Sequence, residues 1–131
     1  LMNYSGMSST LGLAFTHTGS LFPFFSPLLG WLGVFLTGSD TSSCALFGGM
    51  QKDTATAVGM SPELAVAANA SGGVTAKMIS PQSLSVATAA TNMVGQEGNL
   101  FRFTIGHSIA MTLVLCVLTY LQAGPLSFML P

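Results

Sequence analysis

Charged residues are scarce in this sequence. Its 131 residues include 3 Lys or Arg and 4 Asp or Glu, so that 5% of the chain is charged, whereas an ordinary soluble domain carries roughly 25%. Segments 1–39, 78–96 and 103–131 contain no charged residue. A surface in contact with water needs charges of both signs over roughly a quarter of its positions or more. The deficit excludes an ordinary soluble domain and predicts that membrane lipid is the main solvent of the chain.

Basic residues and cysteines are also scarce. Lys52, Lys77 and Arg102 are widely spaced, and the formal net charge is −1, so they form no patch that could neutralise nucleic-acid phosphates. Cys44 and Cys116 lie far apart among small or apolar residues and fit neither a disulfide framework nor a metal site. The sequence therefore predicts no nucleic-acid partner, no metal ion, and two cysteines buried as small side chains.

Motifs of common enzyme classes are also missing. Ser, His and Asp all occur, but there is no Gly-x-Ser-x-Gly elbow, and a shared composition does not make a catalytic triad. Neither a Walker phosphate loop nor a dinucleotide fingerprint is found. These absences predict a protein that is not an enzyme and does not hydrolyse ATP in this segment.

Apolar residues make up 50% of the chain, and its mean hydropathy is +0.65. Residues 21–37 are almost wholly apolar and about as long as the shortest helix that crosses ~30 Å of hydrocarbon. Residues 103–123 contain no acid, Lys or Arg, and Gly124 and Pro125 follow them as a helix stop. The two segments predict membrane spans in an all-α, polytopic integral membrane protein, with residues 1–131 as a single transmembrane unit.

The middle of the chain is rich in Ala, Ser, Thr and Gly. Small residues let membrane helices approach closely, but this stretch is too polar to face lipid on every side. It predicts discontinuous helices at about 44–57 and 61–93. In the second, a helix that starts at Ser61 should stop at the breakers 71–73 and resume only at Pro81. Two half-length helices predict a broken-helix or re-entrant hairpin.

Two polar breaks, one near Asp40 and one from Asn69 to Ser83, combine glycine, hydroxyl groups and one ionisable residue each. Backbone groups freed by a helix break become ligands when they line a protein cavity. A lysine and a helix start at Pro81 suit the carboxylate of a small anion, and a buried carboxylate or a histidine can carry a proton. The proposed proton-coupling residues are Asp40 and His107. The proposed solute-binding residues are Lys77, Asn69, Ser71, Gly72, Gly73, Ser80, Gln82 and Ser83.

Each assignment has a structural alternative. Lys77 can extend to the membrane interface without touching solute, and Asp40 can serve only as the cap of the following helix. Residues 71–73 can form the turn of a helical hairpin. His107 can be a hydrogen-bonded residue at the interface, and the same holds for His17.

Several long motifs resemble one family. They are Gly-Trp-Leu-Gly-Val-Phe-Leu-Thr-Gly-Ser-Asp-Thr-Ser-Ser at 30–43, Ala-Leu-Phe-Gly at 45–48, Lys-Met-Ile-Ser-Pro-Gln-Ser at 77–83, Met-Val-Gly-Gln-Glu-Gly at 93–98 and Leu-Phe-Arg-Phe-Thr at 100–104. Over nearly the whole chain they closely resemble the C-terminal part of bacterial L-lactate permeases. One departure is Cys44, where the resemblance predicts Asn.

The resemblance implies a multi-pass symporter of the bacterial inner membrane that imports L-lactate, and often D-lactate and glycolate, together with protons. The remaining N-terminal part of the permease would then be a partner of this segment, and no cofactor is implied. For a 2-hydroxy acid, Lys77 and the helix start at Pro81 would take the carboxylate. Ser80, Gln82, Asn69 or Ser71 would meet the hydroxyl group, and Asp40 would carry the proton.

Two alternatives remain open at this point. The first is a carrier for another small organic anion, with Na+ in place of H+ as a variant. The second is a channel or a non-transporting membrane subunit that uses the same residues only for packing. Accumulation of solute against its gradient distinguishes a carrier from a channel.

Overall fold

The structure, a computed structural model, describes residues 6–17, 19–125 and 128, and all regular secondary structure in these residues is helical. Relatively short loops connect the helices, and a 3₁₀ turn covers Gly19–Leu21. The six α-helices are α1 (Met7–Thr16), α2 (Phe22–Thr37), α3 (Asp40–Val58), α4 (Pro62–Lys77), α5 (Pro81–Ala90) and α6 (Glu97–Ala123). The predicted all-α class is confirmed.

Serine caps and glycine stops set the helix ends near the first predicted break. Gly38, with φ of 70°, ends α2 in the left-handed conformation that glycine adopts without strain. Ser39 is the N-cap of α3, and its Oγ accepts a hydrogen bond from the Ser42 N–H at 3.3 Å. Helix α3 consequently begins at Asp40, earlier than the predicted start near residue 44.

The predicted interruption at residues 71–73 is wrong. Helix α4 runs without a break from Pro62 to Lys77, and the chain leaves helical geometry only at 78–80. Gly72 lies inside the helix because α2 leaves no room for a side chain there: a Cβ would lie 2.0 Å from the Pro27 carbonyl oxygen. Here glycine serves close helix packing. The next helix starts where Ser80 caps α5 and Pro81 occupies its first turn.

Helices α2 and α4 form the most extensive helix pair, and α3 packs against both. A Cβ added at Gly30 would lie 2.0 Å from the Asn69 carbonyl oxygen, so the two backbones almost touch. The buried side chains along this seam are small, with Ala65, Ala68 and Ala76 at most 4% exposed. Such contacts are typical of helices that associate inside a membrane.

Helix α6 turns a narrow polar stripe inward. Its buried residues are Ser108, Thr112, Cys116 and Thr119, whereas large apolar side chains such as Leu113, Val114 and Val117 are exposed. Among the described residues, α6 is the one helix long and apolar enough to cross a membrane, and α2 is apolar but shorter. A span in 21–37 therefore stays a prediction.

Candidate functional site

Four helix ends converge at one place: the C-terminal ends of α2 and α4 and the N-terminal ends of α3 and α5. Lys77 Nζ donates a hydrogen bond to the Gly38 carbonyl oxygen. A Cβ on Gly38 would lie 2.7 Å from Gln82 Oε1, and a Cβ on Gly73 would lie 2.1 Å from Asp40 Oδ1. We call these five residues the helix-end cluster. The structure thus brings together an ammonium group, a carboxylate and a side-chain amide that lie far apart in the sequence.

The positions of the charges in the helix-end cluster match the helix dipoles. Lys77 lies in the last turn of α4, and its ammonium binds a carbonyl at the C-terminal end of α2, where partial negative charge accumulates. Asp40 occupies the first turn of α3, where partial positive charge accumulates. Each charged group therefore lies at the helix end whose partial charge is opposite to its own.

Asp40 is not the cap of its helix, because Ser39 has that role. The Asp40 Oδ1 atom is buried and has no hydrogen-bond partner among the described residues. Buried polar atoms are hydrogen-bonded in the great majority of cases, so an exception needs an explanation. The structure therefore assigns the side-chain cap to Ser39, while Asp40 remains an acidic residue in the first turn of α3 whose Oδ1 atom has no hydrogen-bond partner among the described residues.

An open groove of about 380 Å³ lies beside the cluster, lined by Lys77, Gln82, Ser83, Val86, Ala87 and Ala90. The first turn of α5 forms one wall of it. Ser80 is fully buried, and its Oγ accepts from the Ser83 N–H at 3.3 Å while also contacting Ser83 Oγ at 2.9 Å. Pro81 has no N–H, and the N–H of Ser83 donates to the Ser80 cap. The Gln82 N–H is therefore the backbone donor of the first turn of α5 that the cap does not use. Ser80 therefore builds the groove, whereas Lys77, Gln82 and Ser83 face it.

Besides Gly73 and the buried Ser80, three more predicted solute ligands do not line this groove. Asn69 is fully buried, and Ser71 is exposed and donates to the Ala67 carbonyl oxygen at 2.9 Å. Ser71 lines a separate cavity between α4 and α6. Gly72 faces the Pro27 carbonyl. The residues lie on different faces of α4 because this helix continues through the expected break.

His107 is likewise separate from the helix-end cluster. Its side chain is exposed on α6, and Nδ1 lies 3.1 Å from the Phe103 carbonyl oxygen one turn earlier. The His107 and Phe103 rings also contact each other, with their centroids 5.2 Å apart. These contacts fit the alternative of a hydrogen-bonded histidine on an outer helix face.

A buried polar network, which the sequence did not point to, joins α2, α3 and α4. Gln51 is fully buried; its Nε2 donates to Asn69 Oδ1 at 2.8 Å, and Ser26 Oγ donates to Gln51 Oε1. Asn69 Nδ2 in turn donates to Cys44 Sγ at 3.4 Å. The helical spacing of Asp40, Cys44 and Gln51 places all three on one face of α3, and this spacing was the available clue.

Comparisons with known proteins place these features in a family. The family model described as L-lactate permease matches residues 1–125. The chain is 61% identical to the L-lactate permease of Bacillus subtilis (strain 168) over 129 residues, 98% of this chain and 23% of that protein. It is 60% identical to the L-lactate permease of Escherichia coli (strain K12) over 131 residues, 100% of this chain and 24% of that protein.

A glycolate permease of Escherichia coli (strain K12) is 64% identical over 121 residues, 92% of this chain and 22% of that protein. The chain thus spans about a quarter of the length of the curated relatives it matches. No solved structure matches it significantly. Because the family model matches residues 1–125, almost the whole of this chain, the chain belongs to the L-lactate permease family.

Proposed function

We propose that this chain is part of a multi-pass transporter of the bacterial inner membrane that imports L-lactate together with protons, and that D-lactate and glycolate are further substrates. The relatives named L-lactate permease support lactate as the solute, and the relative named glycolate permease supports glycolate. The observation that carries the mechanism is the helix-end cluster, which holds Lys77 and the unpartnered Asp40 oxygen together.

Lactate binding uses the groove beside the cluster. The Lys77 ammonium leaves the Gly38 carbonyl and binds the lactate carboxylate, since a hydrogen bond between two charged groups is stronger than one to a neutral carbonyl. The Gln82 N–H at the start of α5 adds a donor in the favourable field of the helix dipole. Ser83, which lines the groove, is placed to meet the 2-hydroxyl group.

Proton coupling follows from the charge of Asp40. The lactate carboxylate and an ionised Asp40 repel each other, so a proton on Asp40 favours the binding of lactate. By the reciprocity of linked equilibria, bound lactate strengthens proton binding to Asp40 by the same factor. Lactate and the proton are then carried together, which is the requirement for symport.

The test is the uptake of labelled L-lactate into lactate-permease-deficient bacteria that express the complete parent permease. Uptake should concentrate lactate inside the cells, and an uncoupler that collapses the proton gradient should abolish the accumulation. Unlabelled glycolate should compete more strongly than acetate, because acetate lacks the 2-hydroxyl group. Equilibration without accumulation would contradict symport, and accumulation that follows a Na+ gradient would identify sodium as the coupling ion.

A further inference from the structure

Gly73 stands apart from the other glycines of the α2–α4 seam. A Cβ at Gly30 or Gly72 would meet backbone atoms of the facing helix, which is the usual reason for glycine between packed helices. A Cβ at Gly73 would meet Asp40 Oδ1 at 2.1 Å and Val34 Cγ2 at 2.7 Å. The nearest atom to the missing side chain of Gly73 is therefore the buried carboxylate oxygen that has no hydrogen-bond partner.

Gly73 and Lys77 are one turn apart on the same face of α4. This face presents bare backbone to the Asp40 carboxylate and, one turn later, the ammonium that binds the Gly38 carbonyl. Gly38 is the C-cap of α2 and lies two residues before Asp40, the first residue of α3. The absence of a side chain at Gly73 is thus what allows the carboxylate to lie against α4 beside the lysine position.

We propose that Gly73 is a positioning residue for proton coupling: it leaves the space in which the Asp40 carboxylate lies against α4, beside the groove that binds the anion. This inference rests on the proposed function and deepens it. It replaces direct solute contact as the role of Gly73. Electrostatic coupling between two sites falls with their separation, so displacement of the carboxylate from α4 weakens the link between proton and lactate without removing the lactate site.

The experiment compares Gly73→Ala with the unchanged parent permease in two assays. The first measures lactate accumulation driven by the proton gradient, and the second measures exchange of labelled for unlabelled lactate with the gradient collapsed. Accumulation should fall by about 5-fold or more, the lower range of typical coupling between sites, while exchange remains near the parent rate. Gly49→Ala in α3 is the matched control, since a Cβ there meets nothing within 4 Å.

Asp40→Asn, alone and combined with Gly73→Ala, separates failure of this inference from failure of the proposed function. If Gly73 acts through Asp40, the double variant should behave like Asp40→Asn alone, because the two effects are not independent. Full accumulation by Asp40→Asn would show that Asp40 is not the proton carrier. Loss of accumulation in Asp40→Asn but not in Gly73→Ala would overturn the role of Gly73 and leave that of Asp40 intact.

A second variant distinguishes loss of proton coupling from loss of folding. Gly73→Ala combined with Val34→Ala removes the Cγ2 atom that crowds the new methyl group, so the carboxylate oxygen is the main atom left to move. This variant should reach the membrane and show the same loss of accumulation with retained exchange. Absence of both variants from the membrane would make Gly73 a packing residue and overturn the proposal.

Discussion

At the scale of single residues, the decisive feature is Lys77, which binds the Gly38 carbonyl in the structure and the lactate carboxylate in the proposed mechanism. Lys77 donates to a backbone carbonyl in the structure, and that partner is neutral, so an arriving carboxylate can replace it. The sequence pointed to Lys77 and Asp40 because each is the one ionisable residue of a polar break. It could not point to the Gly38 carbonyl, since every residue has a carbonyl and only the fold decides which one an ammonium reaches.

The variant Lys77→Gln should take up lactate with a lower apparent affinity. It removes a charge-assisted hydrogen bond that typically contributes about 1.5–3 kcal/mol, so the KM for lactate should rise by roughly 10-fold or more. The measurement is the initial rate of labelled lactate uptake over a concentration series in cells with matched permease levels. Lys52→Gln is the control, because Lys52 is an exposed lysine of α3 that does not line the groove. An unchanged KM in Lys77→Gln would show that Lys77 is not the anion partner.

At the scale of helices, capping residues and prolines predicted the starts of helices better than glycines predicted breaks within them. Ser61 with Pro62 and Pro81 were assigned to helix starts, and the structure has α4 and α5 beginning there, since caps and first-turn prolines act within a few residues. The predicted break at residues 71–73, which include the glycine pair 72–73, is wrong. Glycine weakens a helix by only about 1 kcal/mol relative to alanine. Tight packing against α2 outweighs that cost, and the sequence of α4 alone does not reveal this packing.

The packing glycines provide the prediction at this scale. Gly30→Ala and Gly72→Ala should each destabilise the parent permease by about 1–3 kcal/mol, the usual cost of overpacking, because each Cβ would lie 2.0 Å from a carbonyl oxygen of the facing helix. The measurement is the temperature at which half of the detergent-solubilised permease loses its monodisperse size-exclusion peak. Gly106→Ala on α6 meets nothing within 4 Å and should melt at or slightly above the parent temperature. Unchanged melting of the α2–α4 variants would mean that these helices are farther apart than in the structure.

At the scale of the whole molecule, polar and apolar surfaces are distributed in the manner of a membrane protein. The buried face of α6 carries hydroxyl groups and a thiol, with Thr112 Oγ1 lying 2.7 Å from Thr75 Oγ1, and its exposed face is apolar. Scarcity of charge predicted this class from composition alone. The location of the groove could not be predicted, because it depends on how four helix ends that are distant in the sequence meet in the fold.

The outer surface of this segment should divide into a water-accessible groove and a lipid-facing helix. In a cysteine-free parent permease, Val86→Cys places a thiol on the groove wall, and Val117→Cys places one on the exposed face of α6; the native side chains are 66% and 51% exposed. A membrane-impermeant, charged thiol reagent needs water to reach and ionise its target, so it should label Val86→Cys, with protection by lactate, and leave Val117→Cys unlabelled. Labelling after the permease is denatured in detergent is the control and should reach both thiols, because water then reaches and ionises each of them. Labelling of Val117→Cys by the charged reagent would mean that α6 borders water. Labelling of Val86→Cys without protection by lactate would mean that lactate does not occupy the groove.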